Sequence, residues 1–273
     1  YLFQGIGQFL IQLPDETGFA LYAVVSVLMS LSIVPVAVTR APAPVLPQAT
    51  RFDFVRLWRI SPTGMIVSLF SGLILGAFYG VGPVYAQLSG FDRADTALFM
   101  SAVIMGGLIL QWPMGRFSDG RDRRAFMLIV NLILCAVCLI FIFSGIDGYG
   151  LIGMSIIFGG LIGTLYPLSV AYTNDFLEPE DLVPAAGGLV MAYGFGALAG
   201  PPAAAFCMEI IGTQGLFLFC AGVALTAAGL ITWRIRQRQA PPLEDQVDFQ
   251  VMPRTSPIIG ELDPRAEPVD QQE

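Results

Sequence analysis

Six of the ten residues in Gly115-Arg116-Phe117-Ser118-Asp119-Gly120-Arg121-Asp122-Arg123-Arg124 are charged, in a chain where charged residues make up only 13%. Residue types at this spacing suggest ionic clasping. Arg123 and Arg124 can hold carboxylates or lipid phosphates, and Asp119 can accept hydrogen bonds from the unpaired N–H groups of a neighbouring helix start, where the macrodipole favours an anion. Gly115 permits close approach of a second helix. A second group of candidates is neutral: Gly76-Ala77-Phe78-Tyr79-Gly80-Val81-Gly82-Pro83-Val84-Tyr85-Ala86-Gln87, and Thr164-Leu165-Tyr166-Pro167 with Tyr172 beyond it. Polar and aromatic side chains inside apolar stretches are suited to recognising a small solute. No Asp, Glu, Lys, Arg or His stands in the middle of an apolar stretch, and Glu209 lies near an end of one. An ionisable group at membrane depth is costly unless used, so any proton-coupling site is expected in sequence outside this chain.

The elements that must carry these residues are set by composition. The chain has 273 residues, 55% of them hydrophobic, and a mean hydropathy of +0.70. Soluble domains carry about 25% charged residues, so this chain lacks the ions to cover a globule. Apolar runs long enough to cross about 30 Å of hydrocarbon occur at 19–39, 63–87, 95–114, 125–144, 148–172, 184–208 and 213–233. The first is not a cleaved signal peptide, because its basic residues follow it. The fold class is an all-α polytopic membrane protein.

The net charge of −7 gathers in the acidic tail after residue 240, and all fourteen basic residues are Arg. There is no basic face for nucleic acid. Cys135 and Cys138 form a CxxC inside an apolar run of a chain without His, so buried thiols are expected in place of a metal or redox centre. No metal, cofactor or enzymatic step is expected. Arg40, Arg51, Arg56, Arg59, Arg116, Arg121, Arg123, Arg124, Arg234, Arg236 and Arg238 fall on one side of the spans, against Arg93 on the other. That asymmetry puts the C-terminus in the cytoplasm. One connection, Asn174-Asp175-Phe176-Leu177-Glu178-Pro179-Glu180-Asp181, is cytoplasmic by parity yet acidic; acidic residues contribute little to topology.

Residues 41–62 form the longest connection, proline-rich at Pro42, Pro44 and Pro47. They continue into Phe52-Asp53-Phe54-Val55-Arg56-Leu57-Trp58-Arg59, where Phe54, Leu57 and Trp58 share a face suited to lying at the headgroups. The tail from about 239 to 273, rich in Pro, Glu, Asp and Gln, is expected to be disordered. Tyr1 in place of an initiator Met leads to the expectation that the chain is a fragment.

Gly115-x-x-x-Asp119 followed by Arg123-Arg124 resembles the loop motif of the major facilitator superfamily, G-x-x-x-D-R-x-G-R-R. Gly120 stands where that motif has Arg or Lys, and Asp122 where it has Gly. The resemblance implies the second copy of the motif, so that the seven spans correspond to helices six to twelve. It also implies that Gly115, Asp119, Arg123 and Arg124 form a conformational latch; the alternative reading is a plain orientation anchor. Asn174-Asp175-x-x-Glu178-Pro179-Glu180-Asp181, Gly187-Gly188-Leu189 and Tyr193-Gly194-x-Gly196-x-x-x-Gly200-Pro201 resemble the YcaD-like bacterial permeases of that superfamily. Gly196, Gly200 and Pro201 read either as helix packing or as a hinge. In the superfamily the second and fifth of these seven spans, as helices seven and ten, face a central cavity. Tyr79, Tyr85, Gln87, Thr164 and Tyr166 are therefore the candidate cavity residues, with packing as the alternative for Tyr79 and an interfacial position for Tyr85. Asn131 suggests a helix–helix hydrogen bond.

The implied organisation is the end of helix five and helix six at 1–40, a cytoplasmic linker at 41–62, a six-helix C-terminal half-bundle at 63–233, and a disordered cytoplasmic tail at 234–273. The implied function is secondary active transport of a small organic solute across the bacterial inner membrane by alternating access. Its partners would be that solute, the lipid bilayer and a missing N-terminal half-bundle. A truncated non-transporting domain and a membrane sensor or scaffold are the alternatives. Asp119's expected docking partner, the cytoplasmic end of the fifth helix, is absent, so the latch is expected to be unengaged.

Overall fold

Where no water reaches the backbone, every N–H and C=O must be satisfied within its own segment, so long apolar runs become helices. The computed structural model describes residues 1–12, 19–38, 54–144, 148–178, 181–237, 246 and 249, and among them there is no strand. A short helix α1 (Leu2–Gly7) continues into a 3-10 turn at Gln8–Gln12. There follow α2 (Phe19–Val38), α3 (Phe54–Ile60), α4 (Pro62–Leu88), α5 (Arg93–Ser118), α6 (Arg123–Phe143), α7 (Gly148–Asn174), α8 (Leu182–Ile211) and α9 (Gly215–Gln237). From α4 onward the six helices have 21 to 30 residues, each apolar and long enough to cross a membrane. Each lies where the hydropathy predicts a span, extended by a few residues into its cap.

The caps come from aspartates and glycines. Asp92 accepts the Asp95 N–H at 2.7 Å to start α5, and Asp122 accepts the Arg124 N–H at 3.0 Å to start α6. Each satisfies one of the donors left open at a helix start. Gly212, with φ of +93°, closes α8 in a conformation that a side chain would strain.

Helix α4 packs most extensively against α8, and α5 against α7; α6 lies along α9. Exchanging the first three long helices for the last three (α4 for α7, α5 for α8, α6 for α9) maps the α4–α8 seam onto the α5–α7 seam. The same exchange maps the α4–α9 contact onto α6–α7, and both of those contacts are present. This is the pairing pattern of two three-helix repeats about a twofold axis, as in transporter half-bundles.

Lipid tails are as apolar as leucine, so helices in a membrane associate through close packing and not through exclusion from water. Both seams achieve it with missing side chains. A Cβ at Gly72 would strike the Tyr193 carbonyl and one at Gly196 the Leu69 carbonyl; at the other seam Gly106 meets the Ile156 carbonyl and Gly159 that of Val103. The main core includes Phe78, Phe99, Phe158 and Phe217.

A smaller core gathers Leu57, Met65, Tyr166, Val170, Leu182 and Leu189. Leu57 of α3 is buried there, while Phe54 and Trp58 remain exposed. The expected single amphipathic face is therefore divided. Leu57 serves the bundle, and the Arg56 guanidinium reaches Asp181 at 2.7 Å. The prolines at 42, 44 and 47, with Phe52 and Asp53, lie outside the described residues, as do Pro179 and Glu180 and most of the expected tail. α1 and its 3-10 turn lie against α5, with Gly5 facing Met105, and α2 exposes most of its apolar side chains.

Candidate functional site

The charged decapeptide spans the turn between α5 and α6. Ser118 donates to the Gly115 carbonyl at 2.5 Å, and Asp119 leaves the helix in an extended conformation. Gly120 then takes φ of +66°, a left-handed turn that the Arg or Lys of the motif would adopt only at a cost. Asp122 occupies the motif's second glycine position as the N-cap of α6, and its carboxylate receives Arg124 Nε at 3.0 Å and Nη2 at 2.9 Å. Burial pushes the Asp122 carboxyl up, but the hydrogen bonds from the Arg124 side chain and backbone, with its charge, outweigh that and hold it below its ordinary value.

Arg123 turns the other way and is 1% exposed. Its Nη1 donates to Asp175 Oδ1 at 2.7 Å and to the Ala171 carbonyl at 2.8 Å, while Nη2 donates to Asp119 Oδ1 at 2.9 Å. One planar fork thus joins the end of α5, the start of α6 and the end of α7, a geometry that a lysine point charge cannot reproduce. Asp119 also accepts the backbone N–H of Phe249 at 3.0 Å. The loop expected to be unengaged is thus occupied within this chain. Polar contacts continue along the same end of the bundle, with Ser61 paired to Thr173 at 3.0 Å and Ser68 donating to the Leu189 carbonyl at 2.7 Å.

The five candidate cavity residues lie on α4 and α7, each with its own contacts. Thr164, fully buried, donates to the Gly160 carbonyl at 2.6 Å and faces Met114 Sδ of α5 at 3.7 Å. The buried Tyr166 ring meets Tyr193 of α8 edge-on at 5.2 Å. Tyr79 lies edge-on to Phe78 at 5.8 Å, Tyr85 to Phe217 at 4.9 Å, and Gln87 is exposed at the end of α4. Two cavities lie elsewhere. One of about 370 Å³ is lined by Ser89, Phe91, Asp95, Phe99 and Ser155; the other, of about 310 Å³, lies among Gln8, Ile11, Tyr22, Pro83, Thr96 and Met100. Neither holds any of the five. Asn131 donates to the Met127 carbonyl of its own helix at 2.8 Å, not across to another helix.

Gly196, Gly200 and Pro201 share one face of α8 against α4. A Cβ at Gly200 would strike the Leu73 carbonyl, and the Pro201 ring fills the notch over Gly80. Proline has no N–H for the carbonyl four residues back, so Pro201 leaves that of Ala197 without its helical donor. The Ala197 carbonyl points at Gly76, where a Cα–H can approach it. Close packing and a missing helical hydrogen bond therefore meet in one place.

Two features escaped the sequence reading. Asp175 is the buried counter-charge of Arg123, and the signal for it was present: an acidic connection on the arginine-rich side is the place to look for a partner. Gly72, Gly106 and Gly159 complete the seams but sit outside any recognised motif.

The family model of the Major Facilitator Superfamily matches residues 65–260. An uncharacterized MFS-type transporter of Yersinia pestis (strain Pestoides F) is 30% identical over 183 residues, covering 67% of this chain and 47% of that protein. A Yersinia enterocolitica protein described in the same words is 29% identical over the same length. The uncharacterized MFS-type transporter YcaD of Salmonella heidelberg is 28% identical over 218 residues, 80% of this chain and 54% of the relative. The chain spans about half the length of the curated relatives it matches.

Proposed function

Since this chain belongs to the Major Facilitator Superfamily, we propose that it is the C-terminal half of a carrier that moves a small organic solute across the bacterial inner membrane by alternating access. The observation that carries this reading is the pair of twofold-related glycine seams, α4–α8 and α5–α7. Two three-helix repeats packed backbone to backbone form a stiff body that can rock against a second such body around a midplane site. The arginine asymmetry supports a cytoplasmic C-terminus, with the 115–124 turn and the α7–α8 connection on that same side. There the Asp119–Arg123–Asp175 clasp would hold the half-bundle in one arrangement.

The test is flux through the complete protein in proteoliposomes, with a panel of labelled small solutes offered from either side. Asp119→Asn and Tyr79→Ala are each expected to lower flux about tenfold at unchanged expression, the scale of losing one charge-assisted or cavity contact. Normal flux in both variants would remove the latch and cavity assignments. Absence of flux for every solute class would favour a non-transporting scaffold.

A further inference from the structure

Past the last helix, two described residues lie against the arginine-rich end. The Phe249 ring covers Gly115 so closely that a Cβ there would collide with it, and the ring packs on the edge of the main core. The Phe249 N–H donates to Asp119 Oδ1 at 3.0 Å, and Gln246 Nε2 donates to the Arg121 carbonyl at 2.9 Å. These are three different kinds of contact, from two residues, all to the α5–α6 turn.

We propose that the notch formed by Gly115, Asp119 and the Arg121 carbonyl is a peptide-docking site whose occupant is this chain's own C-terminal segment around Phe249, a tethered strap. The recognition is chemically specific. Only glycine at 115 leaves room for an aromatic ring, and the Asp119 carboxylate faces a backbone donor, which accepts an extended peptide whatever its other side chains. Asp119 Oδ1 is shared between the Phe249 N–H and Arg123 Nη2. Docking is therefore linked to the guanidinium that ties α5 and α6 to α7. Any other element approaching Gly115 or Asp119 must first displace Phe249. A tethered peptide competes at high effective concentration, so weak individual contacts suffice. The strap does not depend on the solute-transport reading.

Hydrogen exchange of the complete protein in nanodiscs, read by mass spectrometry on peptides spanning 112–124 and 244–252, tests this. Phe249→Ala is expected to speed exchange of the 112–124 turn about tenfold, the scale of one lost hydrogen bond with its packing, with α8 and α9 unchanged. Gly115→Leu should speed exchange of 244–252 to the rate of a free peptide. A tail that already exchanges at that rate in the unaltered protein, or a turn indifferent to Phe249→Ala, would overturn the proposal. If Gly115→Leu loosens the helices, Phe249→Ala decides, because it removes only a ring beyond the last span.

Discussion

The two ends of the bundle are closed by different physics. At the arginine-rich end, directional contacts dominate: Arg123 with Asp119, Asp175 and the Ala171 carbonyl, Arg124 with Asp122, and Ser61 with Thr173. At the opposite end the helices meet through rings. Phe141 and Phe217 stack at 4.3 Å, Tyr85 and Phe158 meet Phe217 at 4.9 and 5.5 Å, and Phe78 lies 5.3 Å from Phe158. Ring contacts are shallow in orientation and tolerate small shifts. A charge clasp has partners or lacks them, so it supports discrete states. In a body proposed to rock, the clasped end is where one substitution should change a state, and the aromatic end is where it should change only a packing energy.

The contrast would break first at Arg123. Arg123→Ala takes from the buried Asp175 its ion-pair partner at 2.7 Å, and removing one partner of such a pair costs about 3–5 kcal/mol. Unfolding in mixed detergent micelles should show that loss, with Arg123→Lys recovering only part of it because one ammonium cannot span three acceptors in a plane. A loss below about 1 kcal/mol would mean that the clasp behaves as a surface pair, and the two ends would then be equivalent.

Phe217→Ala tests the aromatic end. In water a buried Phe→Ala change costs 3–5 kcal/mol, but here the unfolded reference also keeps the ring in hydrocarbon, so mainly the cavity term remains, about 2 kcal/mol. Phe217→Leu should cost less than about 1.5 kcal/mol. The same unfolding assay ranks the variants; if Phe217→Ala proved worse than Arg123→Ala, the aromatic end would be the more fragile of the two.

How much of this was legible depended on range. The six long spans from α4 onward follow from hydropathy because membrane thickness and backbone satisfaction leave one solution for an apolar run. The 115–124 turn stood out for the same reason, its charges having nowhere to hide. Gly196 and Gly200 were visible at a spacing of four, whereas Gly72 and Gly159 acquire meaning only once the Tyr193 and Val103 carbonyls are brought opposite them. Thr164 and Tyr166 show the limit most clearly. A polar residue in an apolar run must satisfy its hydroxyl, but the sequence does not say whether the partner is a solute, its own helix or a neighbour. Here Thr164 bonds its own helix, and Tyr166 lies on a neighbouring ring.

The smallest expected effect belongs to Asp122, and it separates charge from geometry within the clasped end. Asn caps a helix about as well as Asp, so Asp122→Asn should keep the bond to the Arg124 N–H while losing the ion pair between a partly exposed carboxylate and a buried guanidinium, a change of about 0.5 kcal/mol because Asn Oδ1 still accepts from Arg124. Asp122→Ala loses both, for about 1 kcal/mol. The folded carboxyl lies below its ordinary value, because the bonds and charge from Arg124 outweigh burial. Its ionic contribution is therefore complete above the ordinary carboxylate range and is lost as pH falls below about 4. Unfolding of the unaltered protein and Asp122→Asn should differ at pH 7 and converge as pH falls through the lowered value of the folded carboxyl. Arg123 has no such convergence to offer, since Arg123→Ala also forfeits the Ala171 carbonyl and the joint between α5, α6 and α7 at every pH. A pH-independent gap between Asp122→Asn and the unaltered protein, with no narrowing below the ordinary carboxylate range, would show that the Asp122–Arg124 pair acts through shape, as the aromatic end does, and would narrow the ionic character of this end to Arg123 alone.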